Sequence, residues 1–209
     1  MTKTAPNTKD KIFIISLPRS GTTSACLYLL DCGLKVAHTA YNHAAIEAAD
    51  VIADTPVFVD YAELALRYPN ARFVYLERPL DEWTASIKRL LGSMRKQWHK
   101  PDGILNPVLK RCFQNCFPKF ESNMPHSHTY LQQCYLEHRE KLEVFVNANR
   151  KEILFLPIKD EDAGSRLAQF CDTTHINNDH ALPHVNKGRR ISYWQAVEHN
   201  NKIEVDFKP

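Results

Sequence analysis

The sequence has no long hydrophobic run. Its first apolar stretch, IFIISL at residues 12–17, is far shorter than the roughly 20 residues that a membrane-spanning helix needs. The stretch is also too short for the hydrophobic region of a secretory signal, and it follows a short polar segment, MTKTAPNTKDK. We therefore expect a cytoplasmic protein that does not bind a membrane.

The chain also lacks an excess of charge, paired cysteine motifs and internal repeats. Its net charge of +3 is too small to indicate nucleic acid as a partner, although it suits an anionic ligand. Six cysteines are spread over the 209 residues in neither a disulfide framework nor a CxxC metal site: Cys26, Cys32, Cys112, Cys116, Cys134 and Cys171. With 44% hydrophobic residues, the chain fits one domain over residues 1–209.

Apolar runs alternate with helical segments along the chain. Strands are predicted at 12–17, 34–38, 72–77 and 153–158, and helices at 22–33, 42–50, 59–69, 80–94, 129–149, 161–171 and around Trp194. This order predicts an α/β fold, a P-loop-like parallel sheet with helices on both faces. Residues 94–128 have four prolines and little periodicity, so we expect an irregular cap there, within an insertion at 94–150.

The segment PRSGTT, residues 18–23, joins the first predicted strand to the first predicted helix. Backbone N–H groups at a helix start, together with the positive end of the helix dipole, stabilise a phosphate. Gly21 lets the backbone approach the ligand, Thr22 and Thr23 offer hydroxyl groups, and Arg19 offers a guanidinium. Taken alone, the segment fits a plain helix cap equally well.

A Walker A loop is the common explanation for a phosphate site between a strand and a helix, but the sequence departs from it. Ser16 takes the place of the first glycine of the motif, and no lysine follows Gly21. A nucleoside triphosphate also needs Mg²⁺, which an acid at a strand end usually holds. The strand at 72–77 leads to Arg78 instead, and an arginine suits a phosphate without a metal. We therefore expect no metal.

The second motif, ERPLDEWTAS, contains Arg78 just after a strand and Ser86 on the following helix. The two side chains can meet at one phosphate if the helix folds back beside the strand end. Without such a fold, they are an arginine on a surface turn and a serine on an exposed helix face.

LPRSGTT, followed by an arginine and a serine at this spacing, resembles the PAPS-dependent sulfotransferases, where PAPS is 3′-phosphoadenosine 5′-phosphosulfate. The resemblance covers most of 12–92 and 153–195, and it looks closest to a branch of short sulfotransferase-like proteins. It implies that the first loop holds the 5′-phosphosulfate and that the later pair, with a basic loop near the C-terminus, holds the 3′-phosphate. The residues carried over are Arg19, Ser20, Gly21, Thr22 and Thr23 for the 5′ site, Arg78 and Ser86 for the 3′ site, and Lys187, Gly188, Arg189 and Arg190 for the late loop.

Two positions depart from the family pattern. Cytosolic members usually have lysine where this chain has Arg19, although other branches use arginine. The late loop of this chain also lacks the second glycine of the family.

The family uses a histidine or a glutamate as the base that accepts the proton of the acceptor. His38 is the first candidate, because it ends a predicted strand and its pKa suits proton transfer near neutral pH. Asp54, in the turn before Pro56, is the second candidate. We expect His38 to face the acceptor and to stay away from the phosphates of the donor. The structural alternatives are a surface histidine and an aspartate that caps the next helix.

The function implied by the resemblance is in-line transfer of the sulfuryl group of PAPS to a hydroxyl or amine of a small molecule or a glycan. Two alternatives stay open: a P-loop phosphotransferase that uses ATP, and an inactive protein of the same fold that only binds PAPS. The sequence leaves the acceptor and the oligomeric state open, with a homodimer as one option.

Overall fold

The computed structural model describes residues 10–98, 105–120, 127–174, 179–185 and 194–204. Within them one sheet contains the strands β1 (Ile12–Ile14), β2 (Val36–His38), β3 (Val51–Ala53), β4 (Arg72–Glu77) and β5 (Ile153–Pro157). The order across the sheet is β2-β3-β1-β4-β5, and neighbouring strands are parallel. The carboxyl ends of the strands therefore lie along one edge, which is where α/β proteins bind ligands.

Helices connect the strands. Among the described residues they are α1 (Thr22–Asp31), α2 (His43–Ala48), α3 (Val57–Arg67), α4 (Leu80–Trp98), α5 (Pro107–Cys116), α6 (His128–Ala148), α7 (Ala163–Phe170) and a 3-10 helix (Trp194–Ala196). In the part of the chain that the structure describes, no helix is both long and apolar enough to cross a membrane.

The central strand β1 explains why helices cover both faces of the sheet. Successive side chains of a strand point to opposite faces. Phe13 lies in a buried cluster with residues of α3, α4, α5 and α6, whereas Ile12 and Ile14 lie in a second cluster with residues of α1 and α7. The prediction of an α/β fold with a parallel sheet and helices on both faces is confirmed. The extent of the domain over the whole chain stays a prediction.

The third strand was not predicted from the sequence. Val51–Ala53 pairs with β1 on one side and with β2 on the other, so it lies near the middle of the sheet. Three apolar residues between a helical segment and the turn at Asp54 are too few to give a strand pattern. The strand is important for the site because it places Asp54 at the same edge of the sheet as His38, the last residue of β2.

The cap is more helical than its composition indicates. Helix α4 continues to Trp98, beyond the predicted end at residue 94, and α5 lies inside the segment expected to be irregular. Asn106 caps α5 by accepting a hydrogen bond from the backbone N–H of Val108 at 2.8 Å, and Pro107 stands in the first turn, where its missing N–H costs nothing. The expectation of an irregular segment is therefore wrong for residues 107–116. Prolines that start a helix give the same composition as prolines that interrupt one.

Candidate active site

A cleft of about 930 Å³ lies at the carboxyl edge of the sheet. The loop between β1 and α1 forms its floor, and one face of α4 forms a wall. Further lining residues come from the turn after β3, from the start of α5 and from segments 182–185 and 194–204. The predicted candidates that line the cleft are Arg19, Gly21, Thr22, Thr23, His38, Asp54, Arg78 and Ser86.

The loop at residues 18–21 has the backbone of a phosphate-binding turn. Arg19 has a φ of 74° and Gly21 a φ of 99°, so the chain adopts the left-handed conformation twice before α1 begins at Thr22. A Cβ on Gly21 would lie 3.2 Å from the side chain of Ile158, which leaves little room for a larger residue. The first N–H groups of α1 therefore open into the cleft beside an arginine, an arrangement that suits an anion.

Two hydrogen bonds join the loop to the second motif. Nε of Arg19 donates to Oγ of Ser86 at 2.9 Å, and Nη1 of Arg78 donates to the backbone oxygen of Arg19 at 3.0 Å. Trp83 adds a third link from α4, because its indole N–H donates to the backbone oxygen of Pro18 at 3.0 Å. The helix after β4 therefore folds back onto the loop, as the convergence of Arg78 and Ser86 requires.

A third arginine, Arg89, lines the same cleft and was missed in the sequence. Burial lowers the pKa of Arg19, and the positive charges of Arg78 and Arg89 lower it further, while Asp54 acts in the opposite direction. Arg89 has no ion-pair partner among the described residues, so its charge is available to a ligand. The sequence could have indicated Arg89, because it lies three residues after Ser86 and shares its helix face.

Glu82 and Lys159 also line the cleft and balance part of this charge. Lys159 Nζ forms an ion pair with the Glu82 carboxylate, and the Nε of Arg78 lies 3.8 Å from the same carboxylate. Glu82 is one helical turn before Ser86, so a carboxylate stands beside the predicted phosphate site. Neither residue was singled out in the sequence.

The five remaining cofactor candidates are Ser20, which does not line the cleft, and four residues of the late loop. Ser20 is fully buried, it is not a lining residue, and its hydroxyl oxygen has no hydrogen-bond partner among the described residues. Its contribution to a phosphate is therefore limited to the backbone. The other four, Lys187, Gly188, Arg189 and Arg190, lie outside the described residues.

The two base candidates lie together, and His38 also contacts the phosphate loop. Its Nε2 is 3.1 Å from the hydroxyl of Thr22, 3.3 Å from the hydroxyl of Thr23 and 3.7 Å from Oδ2 of Asp54. Both threonines belong to the phosphate loop. The expectation that His38 faces the acceptor and stays away from the phosphates of the donor stays a prediction. Burial lowers the pKa of His38, against the opposing effect of Asp54, so the imidazole is neutral at pH 7.

Asp54 has one oxygen available to the cleft. Its Oδ1 accepts hydrogen bonds from the backbone N–H of Thr55 at 2.7 Å and from the hydroxyl of the same residue at 3.2 Å. Oδ2 accepts no hydrogen bond from the described residues and lies 3.7 Å from Nε2 of His38. The side chain is thus held by its neighbour with a free lone pair towards the cleft. It does not cap the following helix, which was the structural alternative for this residue.

The described residues also contain no group of three or more His, Cys, Asp or Glu side chains that could hold a metal ion. In the described part of the chain, His38 and Asp54 are a pair without a third such residue. The expectation that the protein works without a metal stays a prediction.

The comparisons with known proteins agree with this geometry. A search of the curated proteins found no match. A family model described as a sulfotransferase domain matches residues 40–191, nearly three quarters of the chain. The matched range contains Asp54, Arg78, Ser86 and the whole cap, and it begins after the phosphate loop. The chain belongs to the sulfotransferase family.

Proposed function

We propose that this sulfotransferase uses PAPS as its donor and transfers the sulfuryl group to a hydroxyl or amine acceptor. The observation that carries the proposal is the convergence of Arg19, Arg78 and Arg89 on one cleft that also receives the start of α1. A donor with two separate anionic groups can use both parts of this arrangement, the loop and the strand end. A ligand with one phosphate would leave one part without a partner.

In the proposed reaction the acceptor oxygen or nitrogen forms a bond to sulfur as the bond from sulfur to the 5′-phosphate oxygen breaks. The products are a sulfated acceptor and adenosine 3′,5′-bisphosphate. Negative charge builds up on the departing phosphate, where Arg19 and the N–H groups at the start of α1 would stabilise it. Arg78 and Ser86 would hold the 3′-phosphate. Lys187, Gly188, Arg189 and Arg190, which lie outside the described residues, stay candidates from the family resemblance alone.

We assign to Asp54 the role of the general base, which takes the proton from the acceptor. The Nε2 of His38 lies within hydrogen-bond distance of two hydroxyls of the phosphate loop, whereas Oδ2 of Asp54 accepts no hydrogen bond from the described residues. In this assignment a neutral His38 orients the hydroxyls of Thr22 and Thr23 towards the leaving group. Because His38 lies beside Asp54, it would also keep the Asp54 carboxylate in position.

Binding measurements test the proposal against its two rivals. By titration calorimetry, adenosine 3′,5′-bisphosphate should bind at least tenfold more tightly than adenosine 5′-phosphate, and EDTA should not change either affinity. Tighter binding of ADP, restored by Mg²⁺ after EDTA treatment, would favour an ATP-dependent phosphotransferase. Tight binding of the bisphosphate without transfer from PAPS to any acceptor would favour an inactive binding protein. The cytoplasmic location and the homodimer stay predictions.

A further inference from the structure

The wall formed by α4 changes character along its length. The residues of α4 that line the cleft recur every three or four positions, so they form one helix face: Glu82, Ser86, Arg89, Leu90, Ser93, Met94 and Gln97. From Ser86 to Gln97 this face extends about 16 Å at 1.5 Å per residue. Its first half carries charge, and after Arg89 the described lining residues of α4 are neutral.

The neutral half of α4 faces apolar residues from the cap. Leu105, two residues before α5, lines the cleft together with Leu109 and Phe113 of that helix. Phe113 is buried, and its ring meets Phe58 at a centroid distance of 6.1 Å, so the inner part of this wall is fixed to the core. Leu105 and Leu109 are half-buried and pack against the same cluster, with the remainder of each side chain open to the cleft.

The three arginines and Lys159 lie near the start of α4. Arg78 and Arg89 are close enough to Arg19 to lower its pKa, which places their charges around the phosphate loop. Lys159 pairs with Glu82, in the first turn of α4. Among the described residues no charged side chain reaches the cleft from Leu90 to Gln97 or from Leu105 to Phe113.

Tyr41 connects the apolar wall to the base candidates. It lines the cleft together with Asp54, Leu109 and Phe113, and burial raises the pKa of its phenol. Asp54 and the side chains of α5 therefore open into the same cleft as Tyr41. A molecule with its reacting group at Asp54 would therefore extend its body along α5.

We propose that the apolar wall of Leu90, Met94, Leu105, Leu109 and Phe113 binds the acceptor, and that the acceptor is an uncharged alcohol or phenol with an apolar body. A glycan would leave its many hydroxyls facing these side chains without hydrogen-bond partners, which is unfavourable. The wall also offers few polar groups for a sugar, since the side-chain oxygen of Asn106 is used to cap α5. Ser93 and Gln97 remain to bind a single polar group. This inference rests on the proposed function for the reaction, and on the wall alone for the class of acceptor.

A series of acceptors tests the class. With PAPS at saturation, kcat/KM should rise about threefold to fourfold for each methylene from 4-methylphenol to 4-butylphenol, because each added methylene is buried against the wall. N-acetylglucosamine should be at least a hundredfold poorer than 4-butylphenol. A flat series, or a better rate with the sugar, would overturn the assignment.

Variants locate the wall. Leu109→Asn on α5 and Leu90→Asn on α4 should each lower kcat/KM for 4-butylphenol about tenfold and leave the affinity for adenosine 3′,5′-bisphosphate within twofold. Leu66→Asn, at a position on α3 that is 80% exposed and outside the cleft, is the matched control and should behave as the wild type. If the two wall variants weaken the bisphosphate and not the phenol, the wall lies under the adenosine of the donor and the assignment is wrong.

Binding without turnover separates this inference from the proposed function. Calorimetric titration of 4-butylphenol into the protein needs no sulfuryl transfer. Binding that Leu109→Asn and Leu90→Asn each weaken about tenfold, in a protein that transfers no sulfuryl group, would support the apolar site and reject the transfer reaction. The opposite result is a protein that binds adenosine 3′,5′-bisphosphate and sulfates other acceptors but does not bind 4-butylphenol. That result would support the transfer reaction and reject the apolar site. If Leu109→Asn unfolds, Leu90→Asn alone carries the test, because it lies on a different helix.

Discussion

The Nε of Arg19 donates a hydrogen bond to the Oγ of Ser86 at 2.9 Å, and this contact joins two motifs that are 67 residues apart in the sequence. The bond uses a lone pair of the serine oxygen and leaves its O–H free to donate to a phosphate. It also turns the guanidinium of Arg19 towards the start of α4. The phosphate loop and the predicted 3′-phosphate site are therefore one connected surface.

The first prediction concerns that surface. Arg78→Ala should weaken adenosine 3′,5′-bisphosphate about 10- to 100-fold and adenosine 5′-phosphate much less, because a charge-assisted hydrogen bond contributes about 1.5–3 kcal/mol. Ser86→Ala should have the same selectivity with a smaller effect, since it removes a neutral donor. Calorimetry with both nucleotides measures the difference. Lys88→Ala, on the same helix but outside the cleft, is the control. Equal losses for the two nucleotides would remove the assignment of Arg78 and Ser86.

The second prediction concerns Arg89. Arg89→Ala should weaken the bisphosphate by about threefold to tenfold at low salt, and the difference from the wild type should shrink as the salt concentration rises. The reason is that Arg89 is exposed and has no ion-pair partner among the described residues, so it acts through a screened charge. The affinities of the wild type and Arg89→Ala for the bisphosphate at 20 mM and 500 mM NaCl test this prediction. A loss that is independent of salt would mean that Arg89 contributes packing and not charge.

The order of strands and helices could be predicted because apolar runs and helical segments alternate clearly, as at 12–17 and 72–77. The strand at Val51–Ala53 could not be predicted, since three residues carry no pattern. The position of Asp54 at the edge of the sheet, just after this strand, was therefore missed. The direction of a side chain is harder still. His38 ends a strand, as predicted, but whether its ring meets the threonines of α1 or the acceptor depends on how α1 packs against β2. Arg89 was missed for a simpler reason, because its helix face was not followed beyond Ser86.

The third prediction separates His38 from Asp54. Asp54→Asn should lower kcat about 10²- to 10⁴-fold and leave the affinity for the bisphosphate within twofold, because a general base acts only in the transition state. His38→Asn should lower both kcat and the affinity for the bisphosphate, since Nε2 of His38 contacts the hydroxyls of Thr22 and Thr23. Transfer rates and calorimetric affinities of the two variants check this pattern. The reverse pattern, with turnover lost only in His38→Asn and affinity unchanged, would make His38 the base.

The pH profile gives a second check on the same pair. A kcat that stays level as the pH falls below 6.5 would exclude His38 as the base. If His38 is the base, the rate should fall as the ring takes up a proton, and the fall should begin below pH 6.5, because burial lowers the pKa of His38 in the folded protein.

The fourth prediction concerns His138, which is a buried histidine far from the chemistry. Its ring nitrogen Nε2 donates to the backbone oxygen of Phe58 at 2.7 Å, and Nδ1 is buried with no hydrogen-bond partner among the described residues. A proton on Nδ1 would place a charge in the core, so burial lowers the pKa of His138 to about 4. In the unfolded chain the pKa is about 6.5, and the unfolded state therefore binds more protons between pH 6.5 and pH 4.

The sign of the effect follows from that difference. Because the unfolded state takes up the proton first, the free energy of unfolding should fall as the pH falls through this window, by about 3 kcal/mol at 1.36 kcal/mol per pKa unit. His138→Gln keeps an N–H for the oxygen of Phe58 and does not titrate, so it should lose about 3 kcal/mol less than the wild type between pH 7 and pH 4. Urea unfolding at several pH values measures both curves. His128→Gln, at the exposed start of the same helix, should follow the wild type. Parallel curves for wild type and His138→Gln would mean that His138 does not control this loss.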